Sequence, residues 1–202
     1  MTEHYYSKKQ QVESSPRNWS FKLRDRSFRF TTDNGVFSKA EVDFGSRLLV
    51  ETFIFPEIGG DILDVGCGYG PIGLSIANAD SGRKVHMVDV NERALHLAKE
   101  NAELNQISNV SIYESYCLDQ VVTDNFAAIL TNPPIRAGKK VVHQILEQSY
   151  HHLVPQGELW VVIQKKQGAP SAIEKLEEIF SEVEVVEKKK GYFIIKATKH
   201  LT

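Results

Sequence analysis

From residue 61 onward, short apolar runs alternate with stretches of helical periodicity, and this alternation narrows the fold more than any other feature of the chain. Residues 62–65 read as a short buried strand. Pro71–Ala79 reads as a helix with proline in its first turn, where a missing N–H goes unnoticed. Residues 84–88 form a second strand ending at Asp89, and residues 92–105 a helix with Asn91 as its N-cap. Residues 110–113 give a third strand. Residues 126–130 are apolar at nearly every position, as a strand covered on both faces should be. A helix over 141–153, ended by Pro155 and Gly157, leads to a fifth strand over 158–163 and a helix over 172–180. Residues 183–187 and 192–197 flank Lys188-Lys189-Lys190-Gly191 as a closing hairpin. Strand–helix alternation predicts an α/β fold with a doubly wound, mainly parallel sheet. The final strand–turn–strand adds one antiparallel strand.

The chain ahead of this pattern differs. Residues 1–18 are polar and expected to be partly disordered. Residues 19–31 alternate, with Trp19, Phe21 and Leu23 on one parity and Phe28 and Phe30 beyond Asp25-Arg26-Ser27, so they predict a β-hairpin with that polar turn. Asp33-Asn34-Gly35 is a turn signal, and residues 42–53 have helical spacing. The expected organisation is an N-terminal extension with the hairpin over 1–40 and one domain over 41–202, long enough for a single core.

Composition excludes several classes. Two cysteines, Cys67 and Cys117, build no disulfide framework and no C-x-x-C pair, so neither a secreted scaffold nor a zinc site is expected, and no metal is assigned. The start lacks the apolar stretch of a signal peptide, and the run 159–163 is far too short to span a bilayer, which makes a cytoplasmic protein without a membrane partner the expectation. The formal net charge of −2 gives no support for nucleic acid, but its distribution is uneven. Residues 8–29 carry Lys8, Lys9, Arg17, Lys22, Arg24, Arg26 and Arg29 against Glu13 and Asp25, and Lys165-Lys166 and Lys188-Lys189-Lys190 are further clusters. Each is either a phosphate-contacting patch or a solvated surface.

Two motifs carry chemistry. Asp64-Val65-Gly66-Cys67-Gly68-Tyr69-Gly70-Pro71-Ile72-Gly73 follows the first strand and opens a helix, where ligands of open α/β sheets bind. Its glycines allow close backbone approach, and Asp89 at the end of the next strand can accept ribose hydroxyls. The spacing also fits a dinucleotide fingerprint or a plain structural turn. Against a dinucleotide, Asp64 would repel a pyrophosphate but welcome the cationic amino acid of S-adenosylmethionine, and Pro71 removes a helix-start N–H. The second motif is Asn132-Pro133-Pro134-Ile135, after the fourth strand. Pro133 forces Asn132 out of the α region, and the prolines fix φ, so the Asn132 side-chain oxygen and the Pro133 carbonyl become preorganised acceptors for an amino group. The alternative is a rigid strand-to-loop turn. His143, His151, His152 and Cys67 are read as surface or packing residues.

Asp64-x-Gly66-x-Gly68-x-Gly70 with Asp89, and Asn132-Pro133-Pro134-Ile135, resemble the cofactor and [DNS]-P-P-[YF] motifs of class I S-adenosylmethionine-dependent methyltransferases. With Asn34-Gly35-Val36-Phe37-Ser38 and Val42-Asp43-Phe44-Gly45-Ser46-Arg47-Leu48-Leu49, the chain resembles the ribosomal RNA small-subunit guanine-N2 methyltransferase family (the RsmC type) over about residues 30–200. The resemblance implies a seven-stranded sheet, S-adenosylmethionine as cofactor, and ribosomal RNA or the small subunit as partner. It places Phe37 and Ser38 over the cofactor, Asp64 and Gly66 at its amino-acid end with Cys67, Gly68 and Gly70 in the same loop, Asp89 at the ribose, Ser115 and Tyr116 near the adenine, and Val90 among the cofactor-binding residues. Asn132 touches both cofactor and substrate, with Pro133, Pro134 and Ile135 completing the reacting centre. The chain departs from the family at Ile135, where an aromatic is usual, at Ala127 and at Tyr116. Larger members carry a second domain, for which a homodimer is the substitute the resemblance offers. Protein glutamine or nucleic-acid adenine as target, and a non-catalytic cofactor- or RNA-binding module, are the rival readings.

Overall fold

The computed structural model describes residues 6–37 and 41–200. Nine strands and five α-helices follow the predicted order among them. Strands β1 (Arg17–Leu23) and β2 (Arg26–Thr32) form the hairpin, and α1 (Phe44–Thr52) leads to β3 (Asp61–Val65), α2 (Pro71–Ala79), β4 (Val85–Asp89), α3 (Glu92–Leu104) and β5 (Val110–Glu114). Then come β6 (Phe126–Thr131), α4 (Lys139–His152), β7 (Leu153–Gln164), α5 (Ala169–Ile179), β8 (Glu182–Lys189) and β9 (Tyr192–Thr198). The main sheet has seven strands in the order β5-β4-β3-β6-β7-β9-β8. All pairs are parallel except those of β9, which runs antiparallel to both β7 and β8.

Strand order reverses between β3 and β6, and this places the glycine loop and the Asn132 loop side by side: Val65 pairs with Thr131 across the gap. Alternate residues of each central strand enter opposite cores, as the pleat requires. Ile62, Leu130, Trp160 and Val162 face the layer of α1, α2 and α3, while Leu63, Ile129, Leu159 and Val161 face α4 and α5.

The hairpin turns at Arg24-Asp25, not at Asp25-Arg26-Ser27. Both residues hold positive φ (45° and 67°), the conformation a two-residue turn of matching twist demands and one that side chains other than glycine or asparagine rarely adopt. Arg24 offsets that cost by donating to the Val50 and Phe53 carbonyls at the end of α1 (2.7 and 2.8 Å). Arg26 reaches the Asn78 side chain on α2 and the Asn105 carbonyl beyond α3, and Arg29 the Leu104 carbonyl. These guanidinium groups therefore satisfy the orphan carbonyls of helix ends.

The hairpin is also docked by asparagines. Asn101 on α3 and Asn105, the residue that caps its end, are both buried and present their amides to β2 as a neighbouring strand would. Asn101 exchanges two bonds with Thr31 and also donates to the Tyr69 carbonyl; Asn105 exchanges two with Arg29. Each stranded main-chain group would cost about 1–3 kcal/mol. Phe30, Trp19 and Tyr69 close the seam, with ring centroids 5.2–5.8 Å apart.

Two further expectations are corrected. Pro155 and Gly157 do not end α4; the chain becomes extended at Leu153 and β7 runs through them, with the Gln156 amide on the Lys199 carbonyl and the Lys199 amide on that of Gly157. Residues 6–16, within the stretch expected to be partly disordered, pack on the domain: the Glu92 amide donates to the Lys8 carbonyl, and Lys8 pairs with Glu114 at 2.9 Å.

Candidate active site

A cleft of ≈ 310 Å³ lies at the carboxyl ends of β3, β4, β6 and β7. Gly66, Gly68 and Gly70 hold φ of 74°, 56° and 106°. A Cβ on Gly66 or Gly68 would meet no atom within 4 Å, so two bare stretches of backbone face open space. Gly70 serves the fold instead: it starts α2, and a Cβ there would strike Leu74 at 2.9 Å.

Most of the loop's N–H groups are already spent. Those of Gly66 and Cys67 both donate to the Val88 carbonyl, that of Gly68 to Asp89 Oδ2 at 2.8 Å, and that of Gly70 to the Cys67 carbonyl. With Pro71 lacking an N–H, the loop has little to offer a pyrophosphate. Its unmet group is an acceptor. Asp64 is buried, its Oδ2 takes the Gly73 N–H at 2.9 Å, and its Oδ1 has no hydrogen-bond partner among the described residues. Burial pushes its carboxyl up to about 7, opposed by the Gly73 amide and assisted by the Asp89 charge. Asp89 lines the cleft with Oδ1 on the Asn91 amide (2.9 Å) and Oδ2 on Gly68; burial raises its carboxyl and these amides hold it down. An unsatisfied buried carboxylate oxygen, two bare glycines and a second carboxylate fit a ligand with an ammonium group and vicinal hydroxyls, as S-adenosylmethionine has.

The Asn132 loop forms the opposite wall. Every residue of β6 is buried, and Thr131 Oγ1 donates to the Val65 carbonyl, tying the two site loops together. Asn132 Nδ2 donates to Asp43 Oδ2 (3.1 Å) and Ser46 Oγ (3.0 Å). A carboxylate only accepts, so the amide nitrogen must face Asp43, and Oδ1 is left as the acceptor. Asp43 Oδ2 simultaneously caps α1 through the Ser46 amide. The start of α1 thus sets which way the Asn132 amide points. Among the described residues the Pro133 carbonyl accepts no hydrogen bond, whereas that of Pro134 is engaged by the Ala137 amide.

Most of the sequence-predicted residues converge here. Phe37, Gly66, Cys67, Gly68, Asp89, Asn132, Pro133, Pro134 and Ile135 all line the cleft. Asp64 lies buried beside them, and Ile135 also packs on the core under α4. Ser38 lies outside the described residues. Gly70, Val90, Ser115 and Tyr116 are not in the lining. Ser115 is buried and donates to the Cys117 carbonyl (2.9 Å); Tyr116 stacks obliquely on Tyr6, which itself lines the cleft and reaches Cys117 with its hydroxyl. The Cys67 thiol is pushed well above its usual value by burial, which suits a packing role. His143 meets Ser171 on α5 and is likewise a packing residue.

Sequence reasoning missed Tyr6, Asp43, Ser46, Gln164, Gln167 and Tyr192 as site residues. The last three sit at the carboxyl end of β7 and the adjoining start of β9, which the strand-end rule could have flagged. Gly45 makes room for Tyr192, since a Cβ there would lie 2.8 Å from its ring.

A sequence model of the family described as methyltransferase small domain matches residues 27–196. An uncharacterized protein, YbxB of Bacillus subtilis, is 66% identical over 98% of this chain and 100% of its own length. Ribosomal RNA small subunit methyltransferase C of Vibrio vulnificus is 30% identical over 91% of this chain, which spans 53% of that relative. Among solved structures, the 16S rRNA N2 G1207 methyltransferase RsmC of T. thermophilus, in complex with AdoMet and guanosine, superposes with a TM-score of 0.82 at 24% identity, over 95% of this chain and 52% of that one. A ribosomal protein L11 methylase from Lactobacillus delbrueckii subsp. bulgaricus matches with a TM-score of 0.65 at 20% identity, over 77% of this chain and 78% of that one. One fold thus serves RNA and protein targets, and the likeness of fold alone does not choose between them.

Proposed function

The chain belongs to the methyltransferase small domain family, and from that premise we propose that it transfers a methyl group from S-adenosylmethionine to the exocyclic N2 amine of a guanine in small-subunit ribosomal RNA. The observation that carries the proposal is the pinned Asn132 amide, whose nitrogen is held by Asp43 and Ser46 and whose oxygen is left to accept.

S-adenosylmethionine, when bound, supplies an electrophilic methyl on a sulfonium and needs no metal. The chain's task is the nucleophile. The lone pair of a planar aromatic amine is delocalised into its ring. Asn132 Oδ1 and the Pro133 carbonyl accept the two N–H groups, hold the amine toward the methyl and stabilise the positive charge that develops on nitrogen. Asp64, Gly66 and Gly68 hold the amino-acid end of the cofactor and Asp89 its ribose. Tyr6 closes the cleft with Tyr116 behind it. A base inside a helix cannot reach Asn132, so the guanine enters unpaired or flipped. Choice of ribosomal RNA over a protein rests on the likeness to ribosomal RNA small subunit methyltransferase C, and choice of guanine over adenine on the likeness to the T. thermophilus 16S rRNA N2 G1207 methyltransferase. Among the described residues no helix is long and apolar enough to cross a membrane.

Mass mapping of ribosomal RNA from cells with and without the protein tests the proposal. One N2-methylguanosine of the small-subunit RNA should disappear in its absence and return on incubation with purified protein and cofactor. An unchanged RNA methylation map would overturn the assignment.

The Asp64 carboxyl gives a pH signature. Its value near 7 means that below that pH the free protein carries the neutral acid, and an ammonium ligand pairs with the anion. Binding therefore expels a proton, and cofactor affinity should rise by at most roughly tenfold per pH unit as pH climbs toward 7, then level off. Calorimetry on wild type and Asp64→Asn separates the cases: the variant should bind weakly with a flat profile. A flat wild-type profile would remove Asp64 from the cofactor's amino group.

A further inference from the structure

We infer that three loops on the substrate side of the cleft form one cationic rim for the phosphates that flank the target base. This rests on the proposed RNA-directed reading and adds where the RNA is gripped. The segments are residues 135–140, from the loop after β6 into the start of α4, residues 164–168 at and beyond the end of β7, and residues 187–191, the end of β8 with the turn to β9. The Lys165 amide donates to the Gly191 carbonyl at 2.8 Å, and Gln164 pairs with Tyr192, so the second and third loops are joined. Arg136 of the first segment and Gln164 and Gln167 of the second line the cleft together with Asn132, and the third adjoins them through Tyr192, the lining residue that follows it at the start of β9.

Together these segments carry eight lysines and arginines and one carboxylate, Glu187, in a chain whose formal net charge is −2. Arg136, Lys139, Lys140, Lys165, Lys166 and Lys189 are exposed, and none joins an ion pair among the described residues. Lys188 and Lys190 rest over the rings of Phe193 and Phe44, at 4.8 and 4.9 Å from the centroids, which orients them without neutralising them. Four of the seven cations in the other basic segment are already engaged. Arg24, Arg26 and Arg29 of the hairpin are spent on helix-end carbonyls, and Lys8 on Glu114. A flipped nucleotide leaves a phosphate on either side of it, and cations spread over three loops around one mouth suit a backbone of regularly spaced charges better than a single acidic side chain.

The test uses the full-length protein and two probes, a short mixed-sequence single-stranded RNA and purified small-subunit ribosomal RNA, with binding followed across a salt series. Wild type should show log K falling linearly with log salt. The triple variant Lys165→Gln, Lys166→Gln, Lys189→Gln should lose roughly 0.7–0.9 of slope per phosphate contact removed and weaken about 10- to 100-fold, at unchanged cofactor affinity and melting temperature. Lys84→Gln with Lys99→Gln, on exposed positions elsewhere, should leave the slope alone. A triple variant that keeps the wild-type slope sinks the rim while leaving the RNA reading intact. Wild type that binds cofactor but neither RNA overturns both. Displacement of RNA by poly-glutamate at equal charge concentration would reassign the rim to an acidic protein.

Discussion

Asn132→Ala should lower turnover by about 10²- to 10³-fold, the loss expected when one preorganised acceptor is removed from a developing charge, with cofactor affinity kept within a few-fold. The split follows from the geometry. The carboxylates proposed to hold the cofactor belong to β3 and β4, whereas Asn132 follows β6 and is fixed by the start of α1. Its oxygen is useful only if the nitrogen is held elsewhere, and Asp43 does this as an obligate acceptor. Asp43→Asn should therefore be more damaging to turnover than to stability. The new amide can still cap α1, because its oxygen can accept the Ser46 N–H, but it no longer dictates which end of Asn132 faces the substrate. Single-turnover methyl transfer together with cofactor titration measures both quantities. Equal loss of cofactor binding and turnover in Asn132→Ala would transfer the residue from the substrate to the cofactor.

Much of this architecture was legible because buried parallel strands leave an unbroken apolar signature. β6 is buried at every position, and the caps at Asn91 and Pro71 stand where the sequence puts them. What escaped was set by partners far along the chain. Pro155 and Gly157 are terminators locally, but Lys199 supplies main-chain bonds on either side of the left-handed Gln156, and β7 continues past them. Asp25 is a turn former, but Arg24 has no intrinsic taste for positive φ; helix-end carbonyls 26 and 29 residues away reward it for adopting the turn. The glycine loop announced itself, whereas Tyr6 reaches the cleft from a polar segment with no periodicity, and Asp43 and Ser46 meet Asn132 across 89 and 86 residues. The same uncertainty covered the basic clusters. Composition treats Arg26 and Lys165 alike, yet one caps a helix end and the other, next to the cleft residue Gln164, joins no ion pair among the described residues.

Asp89→Ala should raise the cofactor dissociation constant about 100-fold, close to 2.7 kcal/mol, the scale of a hydrogen-bonded charged group lost from a buried site. Two effects contribute and can be parted. One is direct, through hydroxyls of the ribose. The other runs through the loop, because both oxygens of Asp89 hold backbone amides, Gly68 on one side and Asn91 on the other. Asp89→Asn keeps one accepting oxygen but turns a donor toward one of those N–H groups, so it should disturb the loop nearly as much as alanine does. A cofactor analogue lacking the ribose hydroxyls isolates the direct effect. Against wild type it should bind more weakly than the natural cofactor, and against Asp89→Ala it should lose almost nothing further, since the two changes delete one interaction. If instead the two losses add in full, the carboxylate acts by shaping the Gly66–Gly68 backbone alone, and the ribose is gripped from another wall of the cleft.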